Sequence, residues 1–235
     1  MTVLTAANVV DLAAHPVRAL NAALHALPEG ANATHWRVLN PRGLHAVAAG
    51  VDADVTVEID GDVGYYCGGM NKRATIIVNG NAGLGLGENI MSGLIYVKGD
   101  ASQAAGATGH GGAIVIEGSA SARCGISMKG VDIIVKGSIG PMSAFMAQAG
   151  TLAVFGDAGE ALGDSIYEAR LFVRGVVRSL GADCIEKPMR DRHRAELYDR
   201  LAAAGVAGEV DVGEFRRYGS ARTLYNFHVD NAGAY

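Results

Sequence analysis

Aliphatic residues recur through the middle of the chain in pairs that are separated by one residue and that repeat every 19 residues. The pairs are Val57/Ile59, Ile76/Val78, Ile95/Val97, Ile114/Ile116, Ile133/Val135, Leu152/Val154 and Leu171/Val173. The residue between the two members varies freely, from Glu58 to Phe172, and the residue after the pair is usually polar. Alternation with a period of two among β-branched residues predicts one short strand, buried on one face, in every repeat.

A glycine follows each pair at a constant distance. These structural glycines are Gly61, Gly80, Gly99, Gly118, Gly137, Gly156 and Gly175. Other glycines recur three residues later, as at Gly64 and Gly83, and seven residues later, as at Gly68 and Gly87. They predict corners where the chain turns sharply and often needs a positive φ. The chain holds 33 glycines, about twice what an average usage of about 7% would give.

A single repeat cannot bury its aliphatic face, so successive repeats must stack, with equivalent residues about 4.8 Å apart. The predicted fold class is therefore all-β, a right-handed parallel β-helix of about seven 19-residue coils.

Two other kinds of glycine-rich repeat do not fit this period. A hexapeptide solenoid would need a period divisible by six. Calcium-binding repeats need an Asp at one offset in every turn, whereas the position after the glycine holds Asp62 and Asp100 in some turns but Asn81, Ser119 or Val176 in others.

Both flanks of the repeat resemble caps. Residues 15–27 carry Leu20 and Leu24 at helical spacing, which predicts an N-terminal helix that ends at Pro28. Residues 35–53 then form an irregular zeroth coil. At the other end, Pro188 opens a polar helix that ends near Gly205. The domain organisation predicted is a cap with one helix (1–42), the β-helix (43–187), and a C-terminal helix with an aromatic tail (188–235).

The C-terminal tail combines aromatic residues with arginine, a composition that is typical of protein interfaces. The candidate partner interface consists of Phe215, Arg216, Arg217, Tyr218, Tyr225, Phe227 and Tyr235. The alternative, equally favoured by the sequence, is that this tail folds back onto its own β-helix.

Composition narrows the classes of function. Of the 235 residues 49% are hydrophobic, and the formal net charge is −4. Lys and Arg are spread thinly, so we expect no binding to nucleic acid or to an anionic membrane. No uncharged apolar run approaches the roughly 18 to 20 residues of a membrane-spanning helix. Residues 1–14 lack the features of an export signal, and we expect a cytoplasmic protein.

Candidate chemistry is sparse. Cys67, Cys124 and Cys184 have no CxxC spacing and are expected to be small buried hydrophobes; the first two are too far apart in the stack to form a disulfide. The seven histidines are scattered without metal-binding spacing. The glycine-rich stretch 80–87 leads into a strand rather than the helix that a nucleotide loop requires. We therefore predict no catalytic, cofactor-binding or metal-binding residue in this chain.

Several charged residues are expected at corners or on the outer face, where they are either solvated or part of a partner surface. They are Glu88, Arg123, Lys129, Asp164 and Glu168, and His110 is expected at an accessible corner.

The glycine period and its GxxG corners resemble the GXGXG β-helix domain that forms the C-terminal part of the large subunit of glutamate synthase. The likeness spans about residues 40–187. Six further segments, which include residues outside the repeat, are similar to the glutamate synthase-related β-helix subunit of N-methylglutamate synthase, also called methylamine–glutamate N-methyltransferase. The segments are NPRGLHAVAAG (40–50), GYYCGGMN (64–71), SARCGISMKGVDIIVKG (121–137), MSAFMAQAG (142–150), GEALGDSIYEAR (159–170) and NFHVDNAGAY (226–235).

This resemblance implies a chain that scaffolds an enzyme complex without catalysing the reaction itself. Its expected partners are a class II glutamine amidotransferase-like subunit and a flavin-containing synthase subunit, and FMN and any iron–sulfur cluster would belong to the latter. Two alternatives are a chain like the β-helix subunit of formylmethanofuran dehydrogenase and a self-assembling structural β-helix. A carbohydrate-active β-helix would cluster acidic residues on one strand face, and the position before the glycine shows no such cluster.

Overall fold

A computed structural model describes residues 8–28 and 34–224. The strands belong to one sheet and are β1 (Asn8–Asp11), β2 (Thr34–Leu39), β3 (Val55–Asp60), β4 (Thr75–Val78), β5 (Leu94–Val97), β6 (Ala113–Ile116), β7 (Lys129–Val135), β8 (Ala149–Val154), β9 (Arg170–Val173), β10 (Cys184–Lys187) and β11 (Arg216–Ser220). The helices are α1 (Val17–His25) and α2 (Asp191–Ala203), with short 3₁₀ turns at Ala207–Glu209 and Val212–Glu214. The protein is mostly β, as predicted.

Strands β1 to β9 are parallel and hydrogen-bonded in sequence order. In β3 to β9 the pairing follows the 19-residue period; for example, Ile76 pairs with Ile95, which pairs with Ile114. The exception is the start of β7, where Lys129 pairs with Ala149 at an irregularity in the register. All fourteen aliphatic residues of the predicted pairs are buried in one hydrophobic core. The predicted parallel β-helix of seven coils and its register are confirmed.

The stack extends further toward the N-terminus than the glycine period indicates. Residues 34–39 are not irregular, because they form strand β2, in which Trp36 pairs with Val57 and Val38 with Ile59. Strand β1 adds one more parallel strand through Val10 and Val38. The step from Trp36 to Val57 is 21 residues, which is why the period of 19 does not indicate this coil. The predicted cap of residues 1–42 thus contains two strands of the main sheet as well as a helix.

Helix α1 lies against the first coil, as its apolar spacing predicts. Leu20 and Leu24 are buried in the core with Val47 and Val51. The Asn21 side-chain amide donates a hydrogen bond to the Ala46 carbonyl at 2.8 Å. Helix α1 therefore shields the apolar end of the stack from water.

The C-terminal segment returns to the sheet. Helix α2 ends at Ala203 before Gly205, close to the predicted bounds. Strand β11 then inserts antiparallel between β9 and β10. A second hydrophobic cluster, on the outer face of the sheet, joins α2 and the 3₁₀ turns to the strands; it consists of Val115, Ile134, Ala153, Phe155, Phe172, Leu197, Leu201, Ala204, Val206 and Phe215. The position between the aliphatic pairs is thus not free to vary in the last four coils, because α2 covers it.

The polar position after the structural glycines forms a ladder of hydrogen bonds between coils. The Asp62 carboxylate accepts the Asn81 backbone N–H at 2.7 Å, and the Asn81 side-chain oxygen accepts the Asp100 N–H at 2.9 Å. The same contact continues through Ser119 and on to Val176. Asp, Asn and Ser all supply such an acceptor, which explains why they interchange where a calcium site would require Asp.

Glycine is required at the corners for two different structural reasons. Gly68 and Gly87, seven residues after the structural glycine, have φ values of +64° and +61°, as predicted. The prediction is wrong for Gly64 and Gly83, where φ is not positive. At Gly83 a Cβ atom would lie 2.6 Å from the Gly64 carbonyl carbon, so close stacking of the backbones requires glycine there.

Candidate functional site

Each coil contains a long turn between its short second strand and the next main strand. The turns comprise residues 44–50, 65–72, 84–91, 103–110, 122–129, 141–148 and 160–167, and together they form a surface that we call the turn face. Successive turns are joined by backbone hydrogen bonds, such as Tyr66 N–H to Leu84 O and Gly85 N–H to Gln103 O, both 2.9 Å. The turn face is therefore a stacked, regular surface.

The turn face carries many of the exposed large apolar side chains of the described residues. They are Leu44, Tyr65, Met70, Leu84, Met91 and Met146. Tyr65, Met70 and Leu84 are 45%, 50% and 44% exposed, in contrast to the outer-face side chains that α2 buries. Apolar side chains that the described residues leave exposed in this number are typical of surfaces that interact with another molecule.

Contacts between neighbouring turns hold the aromatic side chains of this face in place. The Tyr65 backbone N–H donates a hydrogen bond to His45 Nδ1 at 2.9 Å, and the two rings are edge-to-face with centroids 6.3 Å apart. The Tyr66 ring lies 5.4 Å from the Tyr65 ring. Tyr65 occupies the same position in its coil as Leu84 in the next. The N-terminal part of the turn face is thus a preorganised aromatic and aliphatic surface.

The tail residues predicted as an interface have a different location. Phe215 and Tyr218 are each only 2% exposed. The rings of Phe215 and Phe155 are edge-to-face with centroids 5.6 Å apart, and Tyr218 belongs to the main hydrophobic core. Arg216 donates a hydrogen bond to the Gly175 carbonyl at 2.7 Å. These residues pack on the chain's own β-helix, which was the alternative interpretation of the tail.

Arg217 is half-buried beside α2. Tyr225, Phe227 and Tyr235 of the same predicted interface lie outside the described residues.

The charged corner residues do not form one cluster. Glu88 lies on one turn of the turn face, Arg123 and Lys129 on another and Asp164 on a third, and His110 is exposed on a fourth. Glu168 is held by Arg222, whose guanidinium donates to both carboxylate oxygens at 2.9 and 3.0 Å. The charges are thus spread along the stack rather than joined in a site.

The cysteines occupy apolar surroundings. All three are free and buried, and burial raises the pKa of each thiol, Cys67, Cys124 and Cys184, to about 12. A nucleophilic or metal-binding cysteine needs the thiolate form. The arrangement therefore favours a packing role for these thiols, as the sequence predicts.

Metal-binding and membrane-spanning features are absent from residues 8–28 and 34–224. Within these ranges no group of three or more His, Cys, Asp or Glu side chains is placed to hold a metal ion. Neither helix is long and apolar enough to cross a membrane.

Sequence reasoning missed the turn face because its apolar residues do not follow the strand period. Tyr65, Leu84 and Met70 fall in segments that glycines mark as turns, where exposed polar residues are the usual expectation. A signal was nevertheless present, since position-by-position alignment of the coils places Tyr65 and Leu84 at the same offset from Gly61 and Gly80.

The fold defines the chain as a parallel β-helix protein built of 19-residue coils. No family model matches the sequence. The chain is 60% identical over 227 residues to protein GlxC of Rhizobium meliloti (strain 1021), an alignment that covers 97% of this chain and 99% of that protein. At this identity and coverage, the chain belongs to the GlxC family.

Proposed function

We propose that this chain is a non-catalytic β-helix subunit of a glutamate synthase-like heteromeric complex. The observation that carries the proposal is the turn face, on which exposed Leu44, Tyr65, Met70 and Leu84 have no cover from the described chain. A stack of coils joined by backbone hydrogen bonds presents such side chains on a rigid support, which lowers the entropic cost of binding. The chain would act by positioning its partner subunits.

The particular complex proposed is N-methylglutamate synthase, which converts methylamine and L-glutamate into N-methyl-L-glutamate and ammonia. Support comes from the six segments quoted above, two of which, residues 40–50 and 64–71, lie in the N-terminal part of the turn face or beside it. The partners would be a class II glutamine amidotransferase-like subunit and a flavin-containing synthase subunit. FMN and any iron–sulfur cluster would be bound by the synthase subunit, in a cytoplasmic complex.

The proposal is tested by isolating the native complex. An affinity-tagged copy of the full chain, expressed in its own organism grown on methylamine, should co-purify with a flavoprotein and an amidotransferase-like chain. The complex should show flavin absorbance and form N-methylglutamate in a methylamine-dependent reaction. Recovery of the tagged chain alone from soluble extract would contradict the proposal.

Two variants then test the role of the turn face. The double variant Tyr65→Asp/Leu84→Asp should abolish co-purification, because both side chains are exposed and an interface that buried the two carboxylates would have to desolvate them. Tyr198→Asp is the matched control, since Tyr198 is at least as exposed but lies on α2. If the double variant recovers the complex as well as the wild type does, the complex stands but the turn face is not its interface.

A further inference from the structure

Five basic side chains converge beside the first turn of α2, on the outer face of the sheet. We call Arg170, Lys187, Arg190, Arg192 and Arg217 the arginine cluster. They come from strands β9, β10 and β11, from the residue that precedes α2, and from α2 itself. They are therefore brought together by the return of the C-terminal segment to the sheet.

The strand register places three members of the cluster on one face. Arg217 pairs with Phe172 of β9 and with Lys187 of β10. Phe172 points outward into the second hydrophobic cluster, which α2 covers. Arg217 and Lys187 therefore lie on the same outer face of the sheet. Arg170 is two residues before Phe172 in the same strand, and alternation places it there too. Like charges directly opposite one another on a sheet, as at Lys187 and Arg217, are destabilising.

Helix α2 brings two more cations to the same location. The Arg190 backbone N–H donates a hydrogen bond to His193 Nδ1 at 3.1 Å, and the Arg192 Nε lies 3.2 Å from His193 Nε2. His193 is buried. The imidazole thereby fixes the positions from which the Arg190 and Arg192 side chains extend into solvent.

Negative charge within the described residues does not balance this cluster. The Glu196 carboxylate forms an ion pair with Arg170. Asp191 is fully exposed and pairs with Arg194, which is outside the cluster. Burial and then the charge of Arg170 lower the pKa of Arg217, Glu196 opposes them, and the charges of Arg192 and Arg190 lower the pKa further. The Arg217 Nε atom is buried and has no hydrogen-bond partner among residues 8–28 and 34–224.

We propose that the arginine cluster is a binding site for a small multivalent oxyanion, one that carries phosphate or paired carboxylate groups. Guanidinium groups present planar pairs of N–H donors that match the oxygens of both groups. An anion with two negative charges would relieve the repulsion among Arg170, Arg192 and Arg217. It would also bridge β9, β11 and α2, and so fasten α2 to the end of the β-helix. The inference is independent of the proposed complex.

The test uses the full chain and measures its unfolding temperature at constant ionic strength. Inorganic phosphate and malonate are titrated separately against sodium chloride. Phosphate or malonate in tenfold excess over its Kd should raise the Tm by a few degrees, because a ligand that binds only the folded state stabilises it. The anion with the lower Kd identifies the preferred group. If neither exceeds chloride, the proposal is overturned.

Three variants locate the effect. Arg192→Gln should weaken binding about tenfold, the loss expected for one charge-assisted hydrogen bond, and Arg217→Gln should do the same if it folds. Arg194→Gln, on the same helix but paired with Asp191, should bind as the wild type does. Equal weakening by Arg194→Gln would mean an adventitious ion only and would overturn the site. If Arg192→Gln binds the anion with wild-type affinity, the site is also overturned. The same holds if Arg192→Gln changes only the recovery of partner subunits and not the binding of the anion.

Discussion

At the scale of single residues, the structural glycines and the polar ladder have one common cause. A Cβ atom on Gly118 would lie 2.2 Å from Asp100 Oδ1 and 2.8 Å from the Gly99 carbonyl oxygen. The same kind of close approach occurs at Gly99, where the nearest atom is Asn81 Oδ1 at 2.3 Å. The side-chain oxygen that accepts a backbone N–H from the next coil therefore occupies the space that a Cβ atom on the structural glycine of that next coil would need.

We expect Gly118→Ala to lower the free energy of unfolding by about 1 to 3 kcal/mol, the usual cost of forcing a methyl group into a filled site. Gly208→Ala is the control, because nothing lies within 4 Å of a Cβ atom there, and its effect should stay within about 0.5 kcal/mol. Urea denaturation of both variants checks the prediction. Equal stability of the two would show that the ladder does not require glycine.

At the scale of elements, α2 owes its position to the outer face of the sheet. Leu197 and Leu201 are fully buried against the outward side chains of the last coils, including Ile134 and Phe172. Arg200 adds an ion pair with Asp132 at 3.1 Å. The outward positions of β6 to β9 are all apolar, whereas the outward position of β3 holds Glu58.

Leu197→Ala should lower the free energy of unfolding by about 2 to 5 kcal/mol, because it leaves a cavity between α2 and the sheet. Tyr198→Ala is the matched control, since the neighbouring Tyr198 is half-exposed, and it should change stability by no more than about 0.5 kcal/mol. Hydrogen exchange should show faster exchange in α2 of the Leu197 variant, with β3 to β5 still protected. Uniform loss of protection would mean that α2 and the β-helix unfold together.

The buried imidazole at the start of α2 makes stability depend on pH. Burial, then the charges of Arg217 and Arg192, lower the pKa of His193 below its ordinary value of 6.5. The unfolded chain therefore takes up the proton more readily, and the contribution of His193 to stability is lost as the pH falls below about 6.5.

Between pH 7.5 and pH 5.5 the wild-type chain should lose more free energy of unfolding than His193→Asn, which retains a hydrogen-bond acceptor but does not titrate. Urea denaturation of both proteins at the two pH values measures the difference. A parallel decline in the two proteins would contradict a lowered pKa at this residue.

At the scale of the whole molecule, the β-helix is a single core that runs through all the coils. Helix α1 covers its first coil, and the antiparallel strands β11 and β10 follow its last parallel strand. These segments at both ends weigh against end-to-end assembly into a filament, because a solenoid that polymerises in this way needs bare ends.

Ile114 lies at the centre of the stack and is fully buried. Ile114→Asp should place an unpaired charge in the core and unfold the chain, because the cost of several kcal/mol is comparable with the whole stability of a domain. Gln103→Asp, an exposed change on the preceding turn, should leave the fold intact. Circular dichroism and soluble yield compare the two. A folded Ile114→Asp protein would refute the register.

Much of this fold could be predicted from the sequence, because every coil is defined by the same interactions and these recur every 19 residues. Ile95, Ile114 and Ile133 face inward in each coil by the same alternation, and stacking at a constant period then fixes the register. Helix α2 was also predictable, from Pro188 and Gly205. The first coil was not, because its 21-residue step breaks the period, although Trp36 occupies an ordinary inward position.

The amino-acid sequence by itself determined the parallel β-helix, its seven regular coils and the burial of the three cysteines, since each follows from neighbours at a fixed separation along the chain. Only the tertiary structure decided that Phe215 and Tyr218 are core residues, that the described residues leave apolar side chains of the turn face exposed, and that Arg170, Arg192 and Arg217 meet. Those outcomes depend on where a nonrepeating segment returns to the sheet. That path is set by the sum of many side-chain contacts between distant parts of the chain, which no local period records.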